Sequence, residues 1–192
     1  DGERLGFPVF GMEWKDANSG DMMKGFKELG FMPEAFINML AMLGWNDGTE
    51  KEIFTLDELV ERFSIDRVHS SGAKFDFEKA KWFNHEWIKK SEATKLLPYV
   101  EEIFNSRGYV HEDKKKLLHI VELVKDRCTL LTDFWEQAQF FFIQPKEIDT
   151  ASILAKWDEN KNLFFNELIR TYQLTSIWDH TSAEHAFKEI AA

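Results

Sequence analysis

Residues 30–45, GFMPEAFINMLAMLGW, and residues 73–88, AKFDFEKAKWFNHEWI, decide the fold. The first stretch reads as a short helix with both ends marked. Pro33 stands where a helix can begin without losing a bond, because the N–H it lacks would have no intrahelical acceptor there. Gly44 is expected to end it by supplying a left-handed residue. Between them Phe36, Ile37, Met39, Leu40, Met42 and Leu43 leave no clean polar face, and a helix apolar nearly all round is a buried one. It needs a coat. Phe75, Phe77, Trp82, Phe83 and Trp87 in the second stretch are its expected source.

Working outward, the segment before residue 30 is punctuated by Gly2, Gly6, Pro8, Gly11, Asn18 and Gly20 and reads as irregular. A short extended piece is expected over Phe7–Phe10, with a helical turn over Met22–Leu29. After the buried helix, Asn46-Asp47-Gly48 signals a turn. Thr55 and Glu58 then form a capping box that opens a helix to about Phe63. His69–Gly72 reads as loop, and Asp76 is placed to cap a helix over Phe77–Ile88.

Ser91 is expected to cap the next helix, about Glu92–Ser106, with Gly108 as its stop and Pro98 kinking or splitting it. Another follows over about Asp113–Asp126, where Leu117, Ile120, Val121 and Val124 recur at helical spacing. Thr132 opens a further helix that ends in the aromatic run Phe140–Phe142. Three more segments, about 149–157, 160–174 and 181–190, have helical spacing, the last with a Thr181/Glu184 capping box. The predicted class is all-α. The expected seam is Lys89-Lys90-Ser91; it contains neither proline nor glycine, so the two halves are expected to pack together rather than swing.

With 192 residues, 44% hydrophobic and 30% charged, the chain can bury a real core. No apolar run approaches the roughly 20 residues that span a bilayer, and the opening DGERLGF does not read as a signal peptide. A single cysteine, Cys128, forbids an internal disulfide and fits a reducing, cytoplasmic setting. The formal net charge of −10 opposes indiscriminate attraction to polyanions, so contact with nucleic acid requires a local basic patch.

No catalytic constellation emerges. The histidines at 69, 85, 111, 119, 180 and 185 form no HExxH, and one cysteine excludes a Cys-rich zinc site, so neither catalytic nor metal residues are assigned. Phosphate-loop, dinucleotide and nucleophile-elbow motifs are absent. Cys128 continues the stripe of Leu117, Val121 and Val124 and reads as a buried structural thiol.

The basic residues are more informative. Lys114-Lys115-Lys116 opens the helix that Lys125 and Arg127 close. Positions 114 and 125 are three turns apart, as are 116 and 127, giving two basic rows about 16 Å long at 1.5 Å per residue. Lys125 and Arg127 are explained by the helix macrodipole, but three cations at the amino end are not. An RNA-facing patch would account for them; a solvated basic face is the other reading. The aromatic clusters Trp135 and Phe140–Phe142 read first as core and only second as base-stacking platforms.

Residues 30–88 also resemble bacterial glutamyl-tRNA synthetases. Members of that family carry G-[YF]-x-P-E-A-x-x-N-x-L-A-x-L-G-W, then E-I-F-[ST]-x-x-E-L, then F-D-x-x-K-x-x-W-x-N. These correspond here to Gly30–Trp45, Glu52–Leu59 and Phe75–Asn84. The resemblance is specific over 1–88 and fades to a helical pattern over 91–192, where VELVKDRCTLL (121–131) still matches.

The resemblance implies a tRNA-binding part without the catalytic domain, which would carry the HIGH- and KMSKS-type motifs ahead of Asp1. Residues 1–90 would be a stem-contact subdomain. Residues 91–192 would be the anticodon-binding subdomain, truncated at its far end because no P-L-R-x-A-L-T-G motif occurs. Lys125 matches a basic position that reads the third anticodon base, and Arg127 a basic residue two positions on. Lys79 and Asn84 would face the tRNA stem, with Trp82 as core anchor. Together with Lys114 and Lys115 these form the expected tRNA-binding set. The partner would be tRNA(Glu) and the chain a monomer, with no cofactor in this part and ATP and Mg used by the parent ligase. The competing class is an all-α protein-interaction module in which the lysine rows are only solvated.

Overall fold

The computed structural model describes residues 8–69, 72, 74–110, 113–145 and 147–191. It is all-α apart from one small antiparallel hairpin, β1 (Trp14–Lys15) with β2 (Met22–Met23), in which Trp14 faces Met23 and Lys15 faces Met22. The helices are α1 (Phe26–Leu29), α2 (Pro33–Met42), α3 (Leu56–Arg62), α4 (Phe77–Lys90), α5 (Ala93–Ser106), α6 (Lys114–Val124), α7 (Asp133–Ala138), α8 (Thr150–Leu154), α9 (Glu159–Leu174) and α10 (His180–Ala191). None is long and apolar enough among the described residues to cross a membrane. The chain forms two compact units, 1–144 and 145–192.

In the first unit α2 begins at Pro33 as its sequence requires, after an extended Met32. It does not end on a left-handed Gly44, since the glycines with positive φ are Gly20, Gly30, Gly48 and Gly108. Instead the chain is drawn into extended pairing. Trp45 bridges Val68, and the His69 N–H donates to the Gly44 carbonyl at 2.8 Å. Burial of Trp45 beside Phe54 and Leu59 rewards that path.

The expected coat is α4, but its anchors are not all the expected ones. Ala80, Phe83, Asn84, Trp87 and Ile88 are the buried residues, a stripe at i, i+3, i+4, i+7 and i+8. Trp82 lies one residue, about 100°, away from Phe83 on the helix and stays 37% exposed. Phe83 and Ala80 pack with Met39, Phe26 and Phe31, while Trp87 and Ile88 join Met32 and Ala35.

Two fully buried amides pin these layers. Asn38 donates to the Glu52 carbonyl (2.9 Å) and accepts from the Phe54 N–H (3.0 Å) and the Trp87 indole (3.1 Å). Asn84 accepts from the Met32 N–H (2.7 Å) and donates to the carbonyls of Thr129 (2.7 Å) and Gly30 (3.3 Å).

The core continues across the seam at 89–91. Met32, Ala35, Trp87 and Ile88 share one apolar cluster with Leu96, Val100 and Phe104 of α5, the Leu117, Ile120, Val121 and Val124 stripe of α6, and Phe134. Ser91 does not cap α5. Its hydroxyl donates back to the Trp87 carbonyl at 2.7 Å, closing α4, and Glu92 takes the cap position without its side chain accepting a helix N–H. Pro98 lies within a single α5 on its exposed side, where water can serve the carbonyl that loses its N–H donor. Gly108, at φ 80°, ends the run as predicted.

The segment over Met22–Leu29 departs from a plain helical turn, because Met22 and Met23 pair in the hairpin and α1 starts only at Phe26. Of the extended piece expected over 7–10, Phe7 lies outside the described residues, and 8–10 form no strand. In the loop expected over 69–72, Ser70 and Ser71 also lie outside them.

The second unit pairs α9 with α10 through Phe164 against Phe187 and the Tyr172 hydroxyl on the Ala183 carbonyl. Asp179, not Thr181, caps α10 by accepting the Ser182 N–H at 2.7 Å. Among its described residues Ala186 alone is buried, and Leu163, Leu174, Ile177 and Trp178 are exposed.

Candidate nucleic-acid interface

The basic residues that the sequence grouped on two rows are separated by the way α6 ends. Asp113 caps α6 by accepting the Lys116 N–H at 3.0 Å, and the α-helix stops at Val124. Residues Lys125–Arg127 form a 3-10 turn. A 3-10 turn advances about 120° per residue against about 100° in an α-helix, so Lys125 moves only about 20° off the row of Lys114, whereas Arg127 moves about 60° off the row of Lys116.

Lys125 turns inward. Its side chain is 14% exposed, its ammonium donates to the Ser91 carbonyl at 3.2 Å, and it pairs with Glu122 at 2.8 Å. The turn also delivers Cys128 to the core, where it is fully buried. Burial first, and then the nearby Asp133 charge, push its thiol up to about 12, so it is an inert structural cysteine.

The remaining cations divide by partner. Lys114 pairs with Glu101 at 3.0 Å, and Lys79 with both oxygens of Glu52 at 2.6 and 2.7 Å while standing 4.2 Å above the Trp82 ring. Lys116 lies 5.5 Å from the Phe142 ring centre. Lys115 and Arg127 are exposed and form no ion pair among the described residues. Asn84 is a correction: it is fully buried with both ends of its amide occupied, so it has nothing to offer a stem. It holds the fold instead. Trp135 packs on Phe104 and Tyr109, and Phe142 on Phe104, which makes them core partners.

A groove of about 470 Å³ lies where the α4–α5 corner faces α6. Lys90 and Thr94 line one wall; Lys115, His119, Glu122 and Lys125 line the other. Lys90 and His119 were not among the expected residues. The signal for His119 was present, since 115, 119 and 122 recur at i, i+4 and i+7 on one helical face, but Lys90, at the end of α4, joins that face only through tertiary packing. Among the described residues no group of three or more His, Cys, Asp or Glu side chains could hold a metal ion.

Residues 78–192 match the family model described as anticodon binding domain, and residues 16–82 match that of tRNA synthetases class I (E and Q), catalytic domain. The chain is 43% identical over 168 residues to the glutamate–tRNA ligase of Porphyromonas gingivalis, covering 88% of the chain and 33% of that protein. It is 44% identical over 185 residues to that of Christiangramia forsetii, covering 96% of the chain and 36% of the relative. The chain thus spans about a third of the length of these curated relatives. A crystal structure of a glutamate tRNA ligase from Elizabethkingia meningosepticum superposes with a TM-score of 0.90 at 32% identity, over 100% of this chain and 38% of that one. The chain belongs to the anticodon-binding-domain family and is homologous over most of its length to glutamate–tRNA ligases.

Proposed function

We propose that this chain is the tRNA-binding part of a glutamate–tRNA ligase. The observation that carries the reading is the anticodon-binding match over 78–192 on a chain homologous to these ligases along most of its length. Residues 1–90 lie along the stem of tRNA(Glu), and residues 91–192 supply most of the anticodon-binding region. The parent enzyme, monomeric and cytoplasmic, esterifies glutamate to the tRNA with ATP and Mg. This chain contributes position, not chemistry.

Within the expected set, Arg127 and Lys115 are the strongest contacts, because their charges are not already matched by carboxylates among the described residues. Lys79 and Lys114 must exchange Glu52 and Glu101 for phosphate, and exposed pairs of this kind are worth only about 0–1 kcal/mol. Lys125 serves through its place in the fold.

A fluorescence titration of the chain with a tRNA(Glu) transcript and with a scrambled RNA of equal length tests the reading. Preferential, salt-sensitive binding of the transcript is expected, with a shallower salt slope for the Arg127→Ala variant. Equal affinity for both RNAs, or none for either, refutes it and favours a protein-interaction module, for which the exposed apolar side chains of 145–191 would be the surface. The chain alone is expected to give no glutamate-dependent ATP–pyrophosphate exchange.

A further inference from the structure

We infer that the groove between the α4–α5 corner and α6 is a seat for a backbone phosphodiester of RNA, with Lys90 and Lys115 as its contacts and Lys125 as their positioning residue. The inference rests on the tRNA-binding reading and gives that reading a particular site.

The groove gathers three lysines and a histidine against two carboxylates, in a chain whose formal net charge is −10. Glu122 is already committed to Lys125 at 2.8 Å, and Glu92 accepts from the Thr94 hydroxyl at 3.3 Å. Lys90 and Lys115 have no ion pair among the described residues, and the Lys90 ammonium stands 5.9 Å from the centre of the Trp87 ring. Both side chains line one open groove of about 470 Å³, which has room for a phosphate group with part of its sugars.

Lys125 supplies the geometry. An ammonium has three donors; one goes to the Ser91 carbonyl and one to Glu122. Through them it ties the corner carrying Lys90 to the helix carrying Lys115, and Lys125 itself lines the groove. So committed and only 14% exposed, it is badly placed to read a base edge, which asks for a free and directional donor set. The contact is to phosphate, which needs charge and proximity but no base identity.

Two measurements test this on the whole chain. First, Lys90→Ala and Lys115→Ala are each titrated with the tRNA(Glu) transcript at several salt concentrations, beside Lys27→Ala as an equal-charge control. Each groove variant is expected to bind several-fold more weakly and to lose about 0.7–0.9 from the salt slope, as one phosphate contact does; the control keeps both. Replacing the third anticodon base in the transcript is expected to leave these losses unchanged. Lys115→Gln, which keeps most of the stem, separates charge loss from misfolding. Second, amide shifts of the wild type are followed with inorganic phosphate, and saturable movement at Thr94 and His119 is expected.

Wild-type binding with unaltered affinity and slope in both groove variants overturns the seat while leaving the tRNA reading intact. Saturation by phosphate without any tRNA binding overturns the RNA ligand. Losses that vanish with the base-replaced transcript overturn the assignment to phosphate.

Discussion

Gly30 and Gly44 bracket α2, which is buried on one face only, since Ile37 and Leu40 of its expected all-round apolar surface stay exposed, and their sequence contexts look equally suited to a chain reversal. The structure gives them unequal duties. Gly30 has φ 95°, and a Cβ there would come within 2.7 Å of the Thr132 N and 2.9 Å of the Leu131 N. Its carbonyl accepts the Leu131 N–H at 2.8 Å, so the two backbones touch where a side chain would stand. Gly44 has neither a positive φ nor a neighbour within 4 Å of an added Cβ. Gly30→Ala is therefore expected to destabilise by more than about 1 kcal/mol, and Gly44→Ala to change stability by less than that. Urea unfolding of the two variants checks the order, and equal losses would refute it. The sequence marks where glycines sit, but which one lies against a distant backbone depends on Leu131, about a hundred residues on. Asn84 makes the same point: its motif suggested an outward polar contact, yet its partners Met32, Gly30 and Thr129 lie far along the chain, and they draw it inside.

At the scale of elements, local signals served well wherever the determinant is also local. The Thr55/Glu58 box forms as read, with the Glu58 N–H donating to the Thr55 hydroxyl at 3.2 Å and the Thr55 N–H to Glu58 at 2.9 Å. Lys51 adds an ion pair at 2.5 Å. The Lys51 hydrogen bond first, and then that from the Thr55 backbone, lower Glu58 from 4.5 to about 2. Because the folded value is depressed, this contribution to stability is present above about 4.5 and is lost as pH falls through about 2. Glu58→Gln is expected to flatten the acid limb of the stability curve between those values, measured by urea unfolding at each pH. An unchanged limb would show that the box is broken in solution. The core stripe of α6 was legible for the same reason, since its four apolar positions share a face whatever follows. The direction of Lys125 was not legible, because a change of pitch after Val124 rotates the three terminal residues and Ser91 captures the ammonium.

For the molecule as a whole, the all-α class and the packing of the chain across residues 89–91 could be read from patterning, but the partition of stability could not. The compact units divide at 144/145, at Pro145, whereas composition drew attention to 89–91. Apolar cores form from residues distant in sequence; the lack of proline and glycine in Lys89-Lys90-Ser91 says that the flanking helices pack together, but not that Trp87 and Leu96 share one cluster. The unit 145–192 buries only Ala186 among its described residues, so little apolar area holds α9 and α10 closed. Their amides are expected to exchange with deuterium well before those of α5 and α6, with native-state hydrogen exchange as the measurement. Simultaneous exchange in all four helices would show a single cooperative structure instead.

The burial of Cys128 equips this protein with a built-in clock. It is the chain's sole thiol, it sits under Val124 with its sulfur on that residue's carbonyl, and its proton is held tightly. A disulfide reagent can reach it only while the α6 end of the core stands open. When the reagent reacts faster than the core recloses, its labelling half-life in native buffer therefore reports how often that part of the core opens.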